Sequence, residues 1–139
     1  MSVDFLDTNV LVYSLDFSAP NKKQIAQKLV HDALSVQSAL ISYQVVQETL
    51  NTVQRKFATT VSDDDARLLL EHMLVPLMRV MPSASLYAQA LRIAQRFKFS
   101  FYDSLIVAAA QSAGCKRLLT EDMQHGQVID GLRIVNPFI

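Results

Sequence analysis

Three glycines in 139 residues leave little room for a phosphate loop. Gly114, Gly126 and Gly131 stand apart, and neither GxGxxG nor the P-loop can be drawn through them. Any phosphate chemistry must therefore use a device other than a cradle of backbone amides, such as a metal held by carboxylates. Cysteine is scarcer still. Cys115 is alone, which excludes a disulfide framework and a cysteine-ligated zinc site. Between Gly114 and Lys116, at an expected helix end, it reads as a packed thiol and not a nucleophile. Charge of one sign is lacking too: 13 basic residues balance 13 acidic ones, so bulk charge announces no nucleic-acid partner, although separated patches remain compatible with one. No apolar run reaches the ~18 residues that span a bilayer. The opening MSVDFLDTN places acids where a signal peptide carries a basic region. A cytoplasmic chain with no membrane association is expected.

Hydrophobicity is what the chain has. Half of its residues are hydrophobic and mean hydropathy is +0.19, enough apolar surface to offset chain entropy and build one domain over 1–139. No linker, repeat or low-complexity segment interrupts it. Short apolar runs alternate with helical periodicity. VDFL (3–6), ALIS (39–42), MRVM (78–81), RLLT (117–120) and LRIV (132–135) read as strands. Helices are predicted over 21–36, with Ile25, Leu29 and Ala33 on one face, and over 43–57, with Val46, Leu50, Val53 and Phe57. A third runs from Ser62 to about Pro76, a fourth from Ser83 or Ser85 through Leu86, Ala90, Ile93 and Phe97, and a fifth over 102–113, closed by Gly114. Such alternation predicts an α/β fold with a parallel sheet covered on both faces. Sites in such sheets lie outside the carboxyl ends of the strands, where strand order reverses.

Four acids fall on that rim. Asp7 follows VDFL directly, Asp122 lies just past RLLT, Asp103 sits in the first turn of the helix before RLLT, and Glu48 is one turn into the helix after ALIS. Each has an ordinary explanation alone: Asp7 or Asp103 as a helix cap, Glu48 as a solvated face, Asp122 as loop polarity. Together they would repel one another unless a cation neutralised them. Oxygen ligands select Mg2+ or Mn2+, and one or two such ions can activate water for phosphodiester hydrolysis. Asp63, Asp64 and Asp65 are a decoy: they occupy a first helical turn, where the macrodipole favours acids, and Ser62 with Asp65 forms a capping-box pattern. Asp130-Gly131 reads as a tight turn. His31, His72 and His125 share no ligand spacing.

At these residues the chain resembles a PIN domain of the VapC-type toxin branch of toxin–antitoxin pairs. FLDTNVLVY (5–13), ISYQVVQE (41–48), FYDSLIVAAAQSAGCKRLLTEDMQHG (101–126) and DGLRIVNPF (130–138) carry the likeness in order, nearly end to end. The resemblance implies a parallel sheet of about five strands in the order 3-2-1-4-5. It also implies Mg2+- or Mn2+-dependent endoribonuclease activity, with metal-activated water hydrolysing RNA. Asp7, Glu48, Asp103 and Asp122 match the acidic quartet that would bind metal and catalyse. Asn9, Ser42 and Thr120 match its supporting polar residues, and Glu121 is the alternative fourth acid. Arg55, Lys56, Arg92, Arg96, Lys98 and Lys116 are candidate backbone contacts for RNA. An antitoxin whose tail covers the cleft, often with a basic residue, and a homodimer are the implied partners. Phe97, Phe99 and Phe101 alternate in a way that suits either that dimer or the core. Two rival readings stand beside this one: a non-catalytic PIN-fold module that binds RNA or protein, and a metal-dependent phosphoesterase acting on DNA or a small ester.

Overall fold

The structure is a computed structural model describing residues 2–139. Its sheet holds β1 (Asp4–Leu6), β2 (Ala39–Ser42), β3 (Met78–Val80), β4 (Arg117–Leu119), β5 (Val128–Ile129) and β6 (Leu132–Val135) in the order β3-β2-β1-β4-β6-β5. All pairs are parallel except β5 with β6. The expected order holds for the five sequence-read strands. The sheet gains a sixth at its edge, the two-residue β5, too short to show an apolar period. A two-residue turn joins it to β6: Asp130 (φ 49) and Gly131 (φ 89) are both left-handed, the geometry that closes hairpins with the twist of the sheet.

The helices are α1 (Thr8–Tyr13), α2 (Pro20–Val36), α3 (Tyr43–Lys56), α4 (Asp63–Leu69), α5 (Val75–Leu77), α6 (Ala84–Phe97) and α7 (Phe101–Ser112). Between α4 and α5 the chain stays helical through a π turn, Leu70–Leu74, so the run from Ser62 reaches Leu77. Pro76 is the second residue of α5, directly after the π turn, and lacks the amide that would carry the helical bonding on. Ser62 and Asp65 form the reciprocal capping box, which confirms the structural reading of the three aspartates. Ser83, not Ser85, caps α6 through the Leu86 amide.

The core is one cluster around β1 and β4, whose Phe5, Leu6, Leu118 and Leu119 are at most 2% exposed. Almost all of α7 from Ser104 to Ala110 is buried, with three consecutive alanines that let the helix approach its neighbours closely. On α2 the expected face is rotated. Ala26, Val30 and Ala33 are buried, Leu29 packs at the margin, and Ile25 stays exposed, because the small alanines and not the larger side chain meet the sheet. Phe97 and Phe99 stack on each other against the core at 5.7 Å between ring centroids, while Phe101 emerges at the surface. Among the described residues no helix is long and apolar enough to cross a membrane.

Candidate active site: an acidic cleft at the carboxyl edge of the sheet

β1 and β4 are adjacent at the point where strand order reverses, and their carboxyl ends open into a cleft of about 440 Å³. Asp7, Glu48, Asp103 and Asp122 all line it. Asp7 leaves β1 and caps α1: its backbone amide donates to the Leu119 carbonyl (3.1 Å), and its Oδ1 accepts from the Thr8 amide (2.7 Å). Its Oδ2 accepts from the Thr120 hydroxyl (2.9 Å). That hydroxyl in turn accepts from Asn9 Nδ2 (3.0 Å) and from the Asp122 amide (3.1 Å). Asn9 also donates to Asp122 Oδ2 (3.1 Å), and Thr8 Oγ1 donates to Glu48 Oε1 (3.0 Å). Asp103 receives only a backbone cap, its amide donating to Ser100 Oγ at 3.1 Å. This is half of the capping box that its spacing predicts, and it leaves the carboxylate facing the cleft. Capping and cleft lining are therefore compatible for both Asp7 and Asp103.

Electrostatics follow from the burial. Asp7 is 7% exposed, and burial pushes its carboxyl up to about 7. The bonds from Thr8 and Thr120 pull it back, and the charges of Glu48 and Asp122 push it further up. Glu48 is raised as well, first by burial, then by the charges of Asp103 and Asp122 against the pull of Thr8. Among the described residues no lysine, arginine or histidine forms an ion pair with any of the four. The donor set is all carboxylate and cation-deficient, which by chemistry fits a hard divalent ion. No three acidic, histidine or cysteine side chains among the described residues are gathered closely enough to hold an ion as they stand. The acids share one cleft without meeting at one point. Like charges splay apart, and three of the four have turned to neutral donors on Thr8, Asn9 and Thr120.

Glu121 is placed differently from its neighbour. Its carboxylate accepts from Tyr13 Oη (2.6 Å) and pairs with Lys22 Nζ (2.9 Å). Burial pushes it up, but those two bonds outweigh burial and hold it below its ordinary value. Asp122, not Glu121, is the carboxylate whose charge is felt by Asp7 and Glu48. Of the basic candidates, Arg55 and Lys56 line the cleft. Lys56 is tied to buried Asp16 at 3.1 Å, whereas Arg55 makes no ion pair among the described residues. Arg92 and Arg96 instead line a separate groove on α6, where Arg96 pairs with Asp130 (2.8 Å). Lys98 and Lys116 do not line the cleft, Lys116 standing at the amino end of β4. Linear proximity to a motif placed these four on the rim, and the helix and strand directions carry them away. Ser42 is fully buried, its hydroxyl has no partner among the described residues, and it does not line the cleft. His125 is a surface residue whose Nδ1 accepts from the Asn136 amide.

Several lining residues escaped the sequence reading: Thr8, Tyr13, Gln44, Asn51, Thr52 and Tyr102. A signal existed for the α3 members. Gln44, Glu48, Asn51 or Thr52, and Arg55 recur at helical spacing and form a polar stripe beside the apolar one.

An open α/β sheet with an acidic cleft at its switch point defines the class. Residues 5–129 match the PIN domain family, and the chain belongs to it. No curated protein matches the chain by sequence. Among solved structures, a chain of a toxin–antitoxin complex from Klebsiella pneumoniae shares 20% identity at a TM-score of 0.69, covering 96% of this chain and 97% of that one. FitAcB from Neisseria gonorrhoeae shares 22% at 0.63, covering 98% and 99%. The VapC20 toxin of Mycobacterium tuberculosis, described as cleaving the sarcin–ricin loop, shares 18% at 0.64, covering 86% and 89%. At these identities the likeness is one of fold.

Proposed function

We propose that this chain is a divalent-metal-dependent endoribonuclease and the toxin half of a toxin–antitoxin pair. The observation that carries the proposal is the set of four carboxylates, without an ion-pair partner among the described residues, lining the cleft at the reversal of strand order. The similar folds of the Klebsiella pneumoniae complex and the sarcin–ricin-loop-cleaving toxin support the choice of substrate and partner. Asp7, Glu48, Asp103 and Asp122 would hold one or two Mg2+ or Mn2+ ions. The ions would supply charge neutralisation at the phosphate and a more acidic water. Thr8, Asn9 and Thr120 orient the carboxylates through the bonds described above. A carboxylate of the set takes the proton from the attacking water. Arg55 and Lys56 hold the RNA backbone at the end of the cleft beyond the acids. An antitoxin that inhibits the protein would seat a basic side chain among the acids, and the chain would act as a homodimer.

The test is cleavage of a pool of structured RNAs by purified protein with Mg2+, with Mn2+ and with EDTA, beside the same sequences as DNA. Discrete metal-dependent cuts in RNA alone are expected. Cuts that persist in EDTA, or that favour DNA, would reject the proposal. The two candidate fourth acids separate in a second experiment. Asp122→Asn is expected to weaken Mn2+ binding by roughly tenfold or more, while Glu121→Gln, whose carboxylate is already committed to Tyr13 and Lys22, changes it by less than about threefold. Calorimetric titration reads both, and equal losses would restore Glu121 as a ligand. A third expectation concerns salt. Arg55→Ala should lower the slope of log affinity against log salt by about 0.7 for a single-stranded RNA, the value for one lost phosphate contact. An unchanged slope would remove Arg55 from the interface.

A further inference from the structure

Three of the four tyrosines of this chain stand in the first turns of α3, α6 and α7, and one of them, Tyr102, lines the acidic cleft. Tyr43 opens α3, and its hydroxyl donates to that of Tyr87 on α6 at 3.1 Å. Tyr102, in the first turn of α7, is held next to the start of α3 by Gln44, and burial with the Tyr87 bond raises the Tyr43 phenol above its ordinary value. Phe101 meets Tyr102 edge to face, with ring centroids 5.5 Å apart. The patch is open: Tyr102 is 65% exposed, Tyr87 39% and Phe101 37%. Tyr43 packs against the core, and the three exposed rings around it make an apolar surface of the kind that marks an interaction site. The patch also touches the cleft itself, since Tyr102 lines it, directly precedes Asp103, and accepts a bond from Gln44 Nε2 to its carbonyl (3.2 Å).

The order of chemistry along α3 gives the patch its meaning. One face of this helix follows the cleft from Gln44 to Lys56, a run of about 18 Å at 1.5 Å per residue. Tyr102 lies at its amino end beside Gln44, Glu48 with the other acids in the middle, and Arg55 and Lys56 at its carboxyl end. A nucleic-acid strand alternates flat apolar bases with charged phosphates. It would find a surface for each in that sequence.

We infer that the Tyr43–Tyr87–Phe101–Tyr102 patch is a stacking platform for unpaired nucleobases next to the phosphate held in the acidic cleft. The inference rests on the nuclease reading and adds to it a ligand class: single-stranded or unstacked nucleotides, in contrast to a continuous duplex whose bases are hidden. The platform reads the π-face of a base and not its edge, so it favours open structure without selecting a sequence. Continuity with the cleft favours a base over a second protein copy. A base one nucleotide from the reacting phosphate has to rest against whatever borders Asp103, and that is Tyr102.

Binding can be separated from cutting. With Ca2+ in place of Mg2+ to slow hydrolysis, a short single-stranded RNA is titrated into the full chain, into Tyr102→Phe and into Tyr102→Ala. Fluorescence anisotropy of the labelled RNA gives the affinity. No tryptophan is present, so intrinsic emission reports the tyrosines directly. Tyr102→Ala is expected to weaken binding by about 5- to 100-fold, the range for one lost stacking contact, with Tyr102→Phe near the unsubstituted value. Tyrosine emission should be quenched by RNA and unaffected by a fully paired duplex. Replacing the base beside the mapped cut by an abasic sugar should cost the unsubstituted protein what the alanine costs, and cost the alanine variant nothing more. Equal affinities for all three proteins would overturn the platform while leaving metal-dependent cleavage, measured separately, to stand. A change in sedimentation of Tyr102→Ala with no change in RNA affinity would also overturn it, and would assign the patch to self-association. Absence of both binding and cleavage by the unsubstituted protein would remove the platform together with the nuclease reading. Circular dichroism and thermal melts of each variant confirm that the fold is intact.

Discussion

Asp7→Asn is expected to lower metal-dependent RNA cleavage by at least roughly a thousandfold, about 4 kcal/mol of barrier. Asp7 is the most buried of the four acids, sits at the exact reversal of strand order, and bonds to both Thr8 and Thr120. Asparagine keeps the size and can keep the bond from the Thr8 amide. It loses the negative charge that a divalent ion needs, and offers a donor where the ion needs an acceptor. Asp103→Asn should fall almost as far, since among the described residues nothing but the cleft is left for that carboxylate, the bond to Ser100 being made by the backbone amide. Asp64→Asn is the control. Asp64 is an exposed acid in the first turn of α4, paired with Arg67, and its loss should leave cleavage within about twofold. Activity in Asp7→Asn within tenfold of the unsubstituted protein would remove Asp7 from the site.

The same substitution is expected to stabilise the metal-free protein above pH 7. In the folded chain the Asp7 carboxyl titrates at about 7, against an ordinary value of 3.8. The folded state therefore holds a proton that the unfolded state has released, and stability falls as pH rises from about 4 to about 7. Above 7 the whole penalty is present. At 1.36 kcal/mol per unit of pKa, it is on the order of 4 kcal/mol. Part is not recovered by asparagine. Its Nδ2 would face a Thr120 hydroxyl that already accepts from Asn9 and from the Asp122 amide. A net gain of about 1–3 kcal/mol at pH 8 is the expectation, several degrees in Tm. Below pH 4 the two proteins should differ little. Added Mn2+ should reverse the order, raising the Tm of the unsubstituted protein and leaving that of Asp7→Asn nearly unchanged. Chemical denaturation at pH 4, 6 and 8 in EDTA gives the slope. A difference between the two proteins that does not vary with pH would show that Asp7 carries no proton of unusual affinity.

The outcome shows which parts of the molecule are written locally. Five strands and the long helices were legible because each is a run whose apolar residues recur with one period. β5 was not. Two residues carry no period, and only the Asp130-Gly131 turn beside it announced that a strand must stand on each side. The sequence reading had that turn and drew no strand from it. The acids of the site were legible for a different reason: they sit at strand ends, and topology sends strand ends of a parallel sheet to one rim. Basic side chains lack such an anchor. Arg92, Arg96, Lys98 and Lys116 lie near the motifs in the chain and away from the cleft in space.

The bond between Thr120 and Asp7 spans 113 residues, and so does the one between Asn9 and Asp122. Asp7 and Asn9 are therefore synthesised well before Thr120 and Asp122. While the ribosome is still extending the chain, Asp7 has no β4 beside it and no Thr120 to orient it. A nascent chain that has not yet reached β4 therefore lacks half of the cleft.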